Sequence, residues 1–207
     1  MLFRSAAALA ILRGAGWRVV SEESGDSGGE DDGIIVVVDP IDGSTNCDRG
    51  IPFFTTSLAV LERGELIAAL VRNHADGQTY TAIRGGGAYR DGVSISPSGQ
   101  QTVRGSLVSF SGHPDRHIGW GQIRALGAAS LEGCFVADGR LDAYTVAQRS
   151  SLSTWDYLAA CLIAREAGAV VVDYGNNDLV AWDRRPRAPL FAATAELAQE
   201  FLSLGPL

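Results

Sequence analysis

Apolar positions along this chain fall into short blocks whose period switches between that of a strand and that of a helix. Residues 5–13 (SAAALAILR) predict a helix stopped by Gly14 and Gly16, and Trp17–Val20 a short strand. An acidic, Gly- and Ser-rich stretch over Glu22–Gly33 reads as a solvated loop carrying Asp26, Glu30, Asp31 and Asp32. Ile34–Val38 is a continuous run of β-branched residues, the mark of a strand buried on both faces. Apolar segments over 53–61 and 65–72 flank Arg63-Gly64 and predict a hairpin. Further strands are expected over Tyr80–Ile83, Leu107–Phe110, Leu141–Tyr144, Val170–Asp173 and Pro189–Ala193. Helices are expected over Ala128–Ala137, over Thr154–Ala167 with Thr154 as cap and Gly168 as stop, and from Thr194 or Ala195 to Leu204. Gly85-Gly86-Gly87 and Asp91-Gly92 read as turns, because their spacing is not that of a nucleotide-binding loop. Strands and helices alternate loosely, with hairpins between them, which points to α/β layering with mixed sheets.

Bulk properties narrow the partners. At 207 residues with 46% apolar and 20% charged positions, the chain is long enough to bury a core without disulfides or a structural metal. A formal net charge of −7 disfavours nucleic acid, whose phosphates are held by clustered basic residues. It does not disfavour a small phosphorylated substrate, since a bound cation reverses the local sign of charge. Cys47, Cys134 and Cys161 form no CxxC pair, which fits a reducing, cytoplasmic setting without structural zinc. No apolar run approaches the roughly 18 residues of a membrane span, and the start reads as a short helix rather than a signal peptide because of Arg13.

The segment richest in chemistry is Asp39-Pro40-Ile41-Asp42-Gly43-Ser44-Thr45-Asn46, directly after the buried strand. Two carboxylates with Pro40 between them can converge on one point, Gly43 permits close approach of a ligand, and a helix starting near Ser44 would aim N–H groups at the same place. Carboxylates and free N–H groups together suit a divalent cation bridging to phosphate, and magnesium in particular. A turn capped by Asp39 and Asp42 is the plainer alternative, and the residues alone leave both open. Asp156, in Thr154-Trp155-Asp156-Tyr157, by itself reads as an acid favouring the positive end of a helix. Ser21-Glu22-Glu23-Ser24 by itself reads as the start of a solvated loop.

Taken together, three motifs resemble those of the inositol monophosphatase family. DPIDGSTN resembles its first signature, WDYLAACLIAREAGA its second, and SEES stands at the place of its Glu-Glu motif, with RGGGAYRDG between the signatures. The resemblance runs from about Trp17 to the C-terminus. It implies a layered α/β/α/β/α sandwich forming a single unit over 1–207, with a metal- and phosphate-binding half over about 1–105 and a C-terminal α/β half over about 106–207. It implies lithium-sensitive, magnesium-dependent hydrolysis of a small phosphate monoester, an inositol or sugar phosphate, by a metal-activated water. Glu22, Asp39, the Ile41 carbonyl, Asp42 and Asp156 look like magnesium ligands. Glu23 and Ser44 look like the residues that orient and activate water. Gly43, Ser44 and Thr45 look like phosphate binders, and Gly127-Ala128-Ala129 resembles the segment lining the substrate site.

Several positions depart from the family pattern. The family's N-terminal helices and Thr-x-x-Asp element have no counterpart among the residues before Glu22, so an N-terminally truncated version of the fold is expected, from an incomplete start or a naturally short chain. Core surface left uncovered by that start would favour self-association, with a homodimer as the simplest form. Thr145 and Val146 follow Asp142-Ala143-Tyr144 where the family often has an acid, Cys47 stands at an aromatic position, and Leu158 replaces a small residue. These departures bear on substrate choice and leave the metal ligands intact. Competing expectations are a histidinol-phosphate or 3′-phosphonucleotide phosphatase, and a catalytically silent metal- and phosphate-binding homologue. His74, His113 and His117 form no catalytic constellation.

Overall fold

The computed structural model describes residues 10–22, 25–27, 33–148, 150–183 and 185–207. Among these residues the strands form two sheets. The first contains β1 (Arg18–Ser21), β2 (Gly25–Ser27), β3 (Ile34–Asp42), β4 (Thr55–Glu62), β5 (Glu65–Asn73), β6 (Thr79–Ile83), β7 (Ala88–Arg90) and β8 (Val93–Ser94), in the order β2-β1-β3-β4-β5-β6-β7-β8. Only β1 and β3 pair in parallel within it. The second contains β9 (Leu107–Ser111), β10 (Gln122–Arg124), β11 (Ala143–Val146), β12 (Val170–Asp173) and β13 (Pro189–Ala192), in the order β10-β9-β11-β13-β12, parallel from β10 to β11 and antiparallel beyond.

Besides the helical residues 10–14, four helices among the described residues are placed by this frame: α1 (Ser44–Arg49), α2 (Ala129–Ala137), α3 (Thr154–Ala167) and α4 (Ala195–Leu204). Both α2 and α3 touch strands of the two sheets, so they form the layer between them. That position explains why α3 is apolar nearly all round, with Trp155 and the run Tyr157–Ala164 buried. The main core lies here, joining Val37, Leu61 and Tyr80 of the first sheet to Tyr144 and Phe191 of the second through Leu131, Leu158 and Ile163. Helix α4 is amphipathic and buries Leu197, Ala198 and Phe201 on the far face of the second sheet. On the outer face of the first sheet, Leu12 from the helical residues 10–14 packs against Val19 and Val38. The layers therefore run α/β/α/β/α. No helix among the described residues is long and apolar enough to cross a membrane.

Several local expectations are corrected. Strand β3 does not end at Val38 but continues to Asp42 through an irregularity between Asp39 and Asp42. The Thr56 hydroxyl, 2.8 Å from the Pro40 carbonyl, ties this bent end to β4. Helix α3 is capped by Ser153 rather than Thr154, whose hydroxyl donates to the Ala181 carbonyl. Strand β11 starts at Ala143 rather than Leu141, because the Leu141 N–H is held by the Phe135 carbonyl at 2.9 Å. The short strands β2, β7, β8 and β10 are too brief and polar to carry a period; pairing with neighbours makes them. Asp26 does not stand alone in solvent: Arg18 pairs with it across β1 and β2 at 2.5 Å. Residues 5–9 of the expected first helix lie outside the described residues.

Candidate functional site

The site forms where the buried strand β3 runs out of the sheet. Hydrophobic burial of Val36, Val37 and Val38 carries the next residues inward, so Asp39 and Asp42 end up 2% and 7% exposed. Two buried carboxylates at a strand end are costly unless something compensates them. Asp39 accepts a bond from the Ile41 N–H at 2.9 Å. Asp42 accepts from the backbone N–H groups of Ala129 (3.2 Å) and Ser130 (2.7 Å), and from the Ser130 hydroxyl. Since that hydroxyl gives its proton to Asp42, Thr55 is the donor in the 2.8 Å contact between the Thr55 and Ser130 hydroxyls. Asp156, in the first turn of α3, accepts from the Ser153 N–H at 2.7 Å.

These groups lie close enough to act on one another electrostatically. Burial pushes the Asp39 carboxyl up to about 9, and the negative charges of Asp42, Glu22 and Asp156 push it in the same direction. Asp42 is raised to about 6 by burial, against the pull of its Ser130 and Ala129 bonds and with a push from Glu22. Asp156 is raised to about 7 by burial, opposed by the Ser153 N–H and aided by Asp42 and Glu22. Four acids from β3, α3 and the end of β1 thus share one field, although Glu22 itself is exposed. A cluster of hard oxygen donors in mutual repulsion is chemistry suited to a divalent cation. Each of the three aspartates is turned onto backbone donors, and among the described residues no three His, Cys, Asp or Glu side chains are grouped closely enough to hold an ion. Glu23 lies outside the described residues.

Beside the acids, Gly43 adopts a left-handed conformation (φ 82°) that turns the chain from β3 into α1 and leaves Ser44 and Thr45 exposed at its first turn. A side chain at Gly43 would meet the Gly127 and Phe53 carbonyls at 3.0 Å and the Ala128 Cβ at 3.1 Å. Position 43 therefore needs glycine for both its conformation and its contacts. Of the segment expected to line the substrate, Gly127 is exposed, while Ala128 and Ala129 are buried with their N–H groups committed to Glu132 and Asp42. Ile41 is half-buried between the two acids.

Two residues to which the sequence alone assigns no role complete the frame. Asn46 donates from its side chain to the Phe53 and Leu126 carbonyls at 2.8 and 2.7 Å. Glu132, fully buried on α2, accepts from the N–H groups of Leu126, Gly127 and Ala128 and from the Ser109 hydroxyl; burial raises its carboxyl to about 7 against those bonds. A charged residue inside an otherwise apolar helix was the available signal for Glu132. The Gly85-Gly86-Gly87 turn also has an anion on it, supplied internally: the Gly85 and Gly87 N–H groups donate to Glu166 at 2.8 and 2.9 Å.

Comparison with known proteins gives a consistent result. A model of the inositol monophosphatase family matches residues 13–204. An inositol-1-monophosphatase of Mesorhizobium japonicum is 33% identical over 183 residues, covering 80% of this chain and 66% of that protein. A fructose-1,6-bisphosphatase/inositol-1-monophosphatase of Archaeoglobus fulgidus is 34% identical over 204 residues, covering 96% and 79%. A solved structure from Pyrococcus horikoshii, described as having similarities to inositol-1 monophosphatase, superposes with a TM-score of 0.85 at 30% identity, covering 97% of this chain and 81% of that one. The chain spans about two thirds of the length of several such relatives, 66% in the first case.

Proposed function

Because the chain belongs to the inositol monophosphatase family, we propose that it hydrolyses a small phosphate monoester, an inositol or sugar phosphate, with magnesium as its cofactor. The observation that carries this reading is the field shared by Glu22, Asp39, Asp42 and Asp156 next to the first turn of α1. Asp39, Asp42, Asp156, Glu22 and the Ile41 carbonyl would hold the cation. When bound, a divalent ion supplies Lewis-acid stabilisation to the phosphoryl and leaving oxygens. The chain's own part is positioning and charge. The amides of Gly43, Ser44 and Thr45, at a helix start where N–H groups lack partners within the helix, would receive the phosphoryl oxygens. Glu23 and the Ser44 hydroxyl would orient the attacking water, and the exposed Gly127 would form one wall for the alcohol portion. The names of the Mesorhizobium and Archaeoglobus relatives support inositol and sugar phosphates as the first substrates to try.

The test is phosphate release from inositol, sugar, histidinol and nucleotide phosphates, with magnesium and with chelator, in wild type and Asp39→Asn. Magnesium-dependent release, inhibited by lithium and abolished by Asp39→Asn in a folded sample, is expected. Turnover confined to histidinol or nucleotide phosphates would move the substrate. No turnover from folded wild type would leave the silent binding homologue.

A further inference from the structure

The backbone from Leu126 to Ser130 is held almost entirely by two buried acids. Glu132 takes the N–H groups of Leu126, Gly127 and Ala128 at 3.2, 3.2 and 3.3 Å, and Asp42 takes those of Ala129 and Ser130. One of the two, Asp42, belongs to the proposed metal site. The other is buried on α2 and reaches back over the turn that precedes its own helix. This turn is the backing of Gly43: the Gly127 carbonyl and the Ala128 Cβ lie where a side chain at position 43 would stand. Asn46 of α1 grips the same turn through the Leu126 carbonyl. Displacement of residues 126–128 is therefore passed directly to Gly43 and the first turn of α1.

We infer that Glu132 is a positioning residue that fixes the Gly43–Asn46 turn through the backbone of residues 126–128. Its kinetic consequence rests on the phosphatase reading; its structural consequence does not. Glu132 suits the role because a carboxylate only accepts, and its oxygens meet four donors: Leu126 N–H and Ser109 hydroxyl at one oxygen, Gly127 and Ala128 N–H at the other. Glutamine has the same shape but fails whichever way its amide turns, since its NH2 then confronts at least one backbone N–H. A residue that merely caps α2 would leave the Gly43–Asn46 turn untouched when replaced.

The experiment compares wild type with Glu132→Gln, Glu132→Asp and, as a control, Glu166→Gln, whose carboxylate holds the Gly85–Gly87 turn instead. Amide hydrogen exchange is measured on the full chain alongside steady-state kinetics with magnesium. Glu132→Gln is expected to speed exchange by about tenfold, the equivalent of one lost hydrogen bond, at 126–128 and at Cys47 and Ile51, whose N–H groups are held by the Gly43 and Asn46 carbonyls, with α3 and α4 still protected. It is expected to lower kcat by about tenfold to a hundredfold with KM changed little, as for a misplaced reacting group. Glu132→Asp, which keeps the acceptor, is expected to recover part of both. Glu166→Gln is expected to change exchange at 85–87 and leave kcat alone. Exchange at Cys47 and Ile51 equal to wild type would overturn the assignment, as would unchanged kcat. If wild type releases no phosphate, the phosphatase reading fails while the exchange result still decides the role of Glu132. If Glu132→Gln does not fold, Glu132→Asp carries the same readouts.

Discussion

At the scale of single residues, the dominant fact is the burial of several carboxyl groups near one another. Asp39 is raised to about 9 by burial and by Asp42, Glu22 and Asp156. The folded chain thus keeps a proton that an unfolded Asp, with a pKa near 3.9, has released. The sign follows: this contribution to stability is fully present at low pH and is lost as pH rises from about 4 toward 9, at up to about 1.4 kcal/mol per pH unit for one proton. Asp42 and Asp156, raised to about 6 and about 7, add to the lower part of that window. In chelator, the stability gap between Asp39→Asn and wild type is expected to widen in favour of the variant as pH climbs from about 5 to 9, read by urea midpoints. A constant gap would show that Asp39 is not buried among like charges. The motif containing Asp39 and Asp42 was legible in sequence, but Glu132 was not. An acid inside an otherwise apolar helix hints that it is buried, but which groups it holds appears only when residues 126–128 curl back over α2.

At the scale of elements, the helix layer between the sheets sets the spacing of the site. Helix α2 presents Gly133 to α3 and β13, where a Cβ would stand 2.8 Å from the Ala160 Cβ and 3.0 Å from the Phe191 ring. These two helices place Asp42's donors and Asp156 on one field, so their approach is part of the site's geometry. Gly133→Ala is expected to destabilise by about 1–3 kcal/mol through overpacking, despite the better helix propensity of alanine. Adding Ala160→Gly is expected to relieve part of that loss, a coupling that a double-mutant cycle in urea would measure. An additive result would place the strain elsewhere. Strand β3 and helices α2, α3 and α4 were visible in sequence to within a few residues, because burial on both faces or one face imprints a period. The run of β3 past Asp39 depends on a partner distant in sequence, Thr56, whereas the cap of α3 is local, set by Ser153 and Asp156 three residues apart, with the Thr154 hydroxyl drawn away to the Ala181 carbonyl.

At the scale of the molecule, the layers bring the end of β1, the end of β3, the start of α1 and the start of α3 to the same place. A cation bound there would relieve the mutual repulsion and bind only the folded chain. Magnesium is therefore expected to raise the thermal unfolding midpoint, with about 2.7 kcal/mol of added stability at a hundredfold excess over Kd. The shift is expected to grow between about pH 6 and 9, as deprotonation of the three aspartates exposes more repulsion for the ion to cancel. No shift in scanning calorimetry, with Asp39→Asn identical to wild type, would argue against a cation at these acids.

The sequence by itself determined the α/β class, the order of the longer strands and helices, and marked Asp39–Asn46 as the segment richest in candidate chemistry. It could do so because periodicity, glycine and paired carboxylates are local properties of the chain. Only the tertiary structure decided that Asp156 shares a field with Asp39 and Asp42, and that Ala128 and Ala129 are buried while Gly127 is exposed. It alone decided that the acid holding the 126–128 turn is Glu132. Those outcomes depend on which distant groups are packed together after burial, and burial sets both the strength of a charge and the donors left to satisfy it.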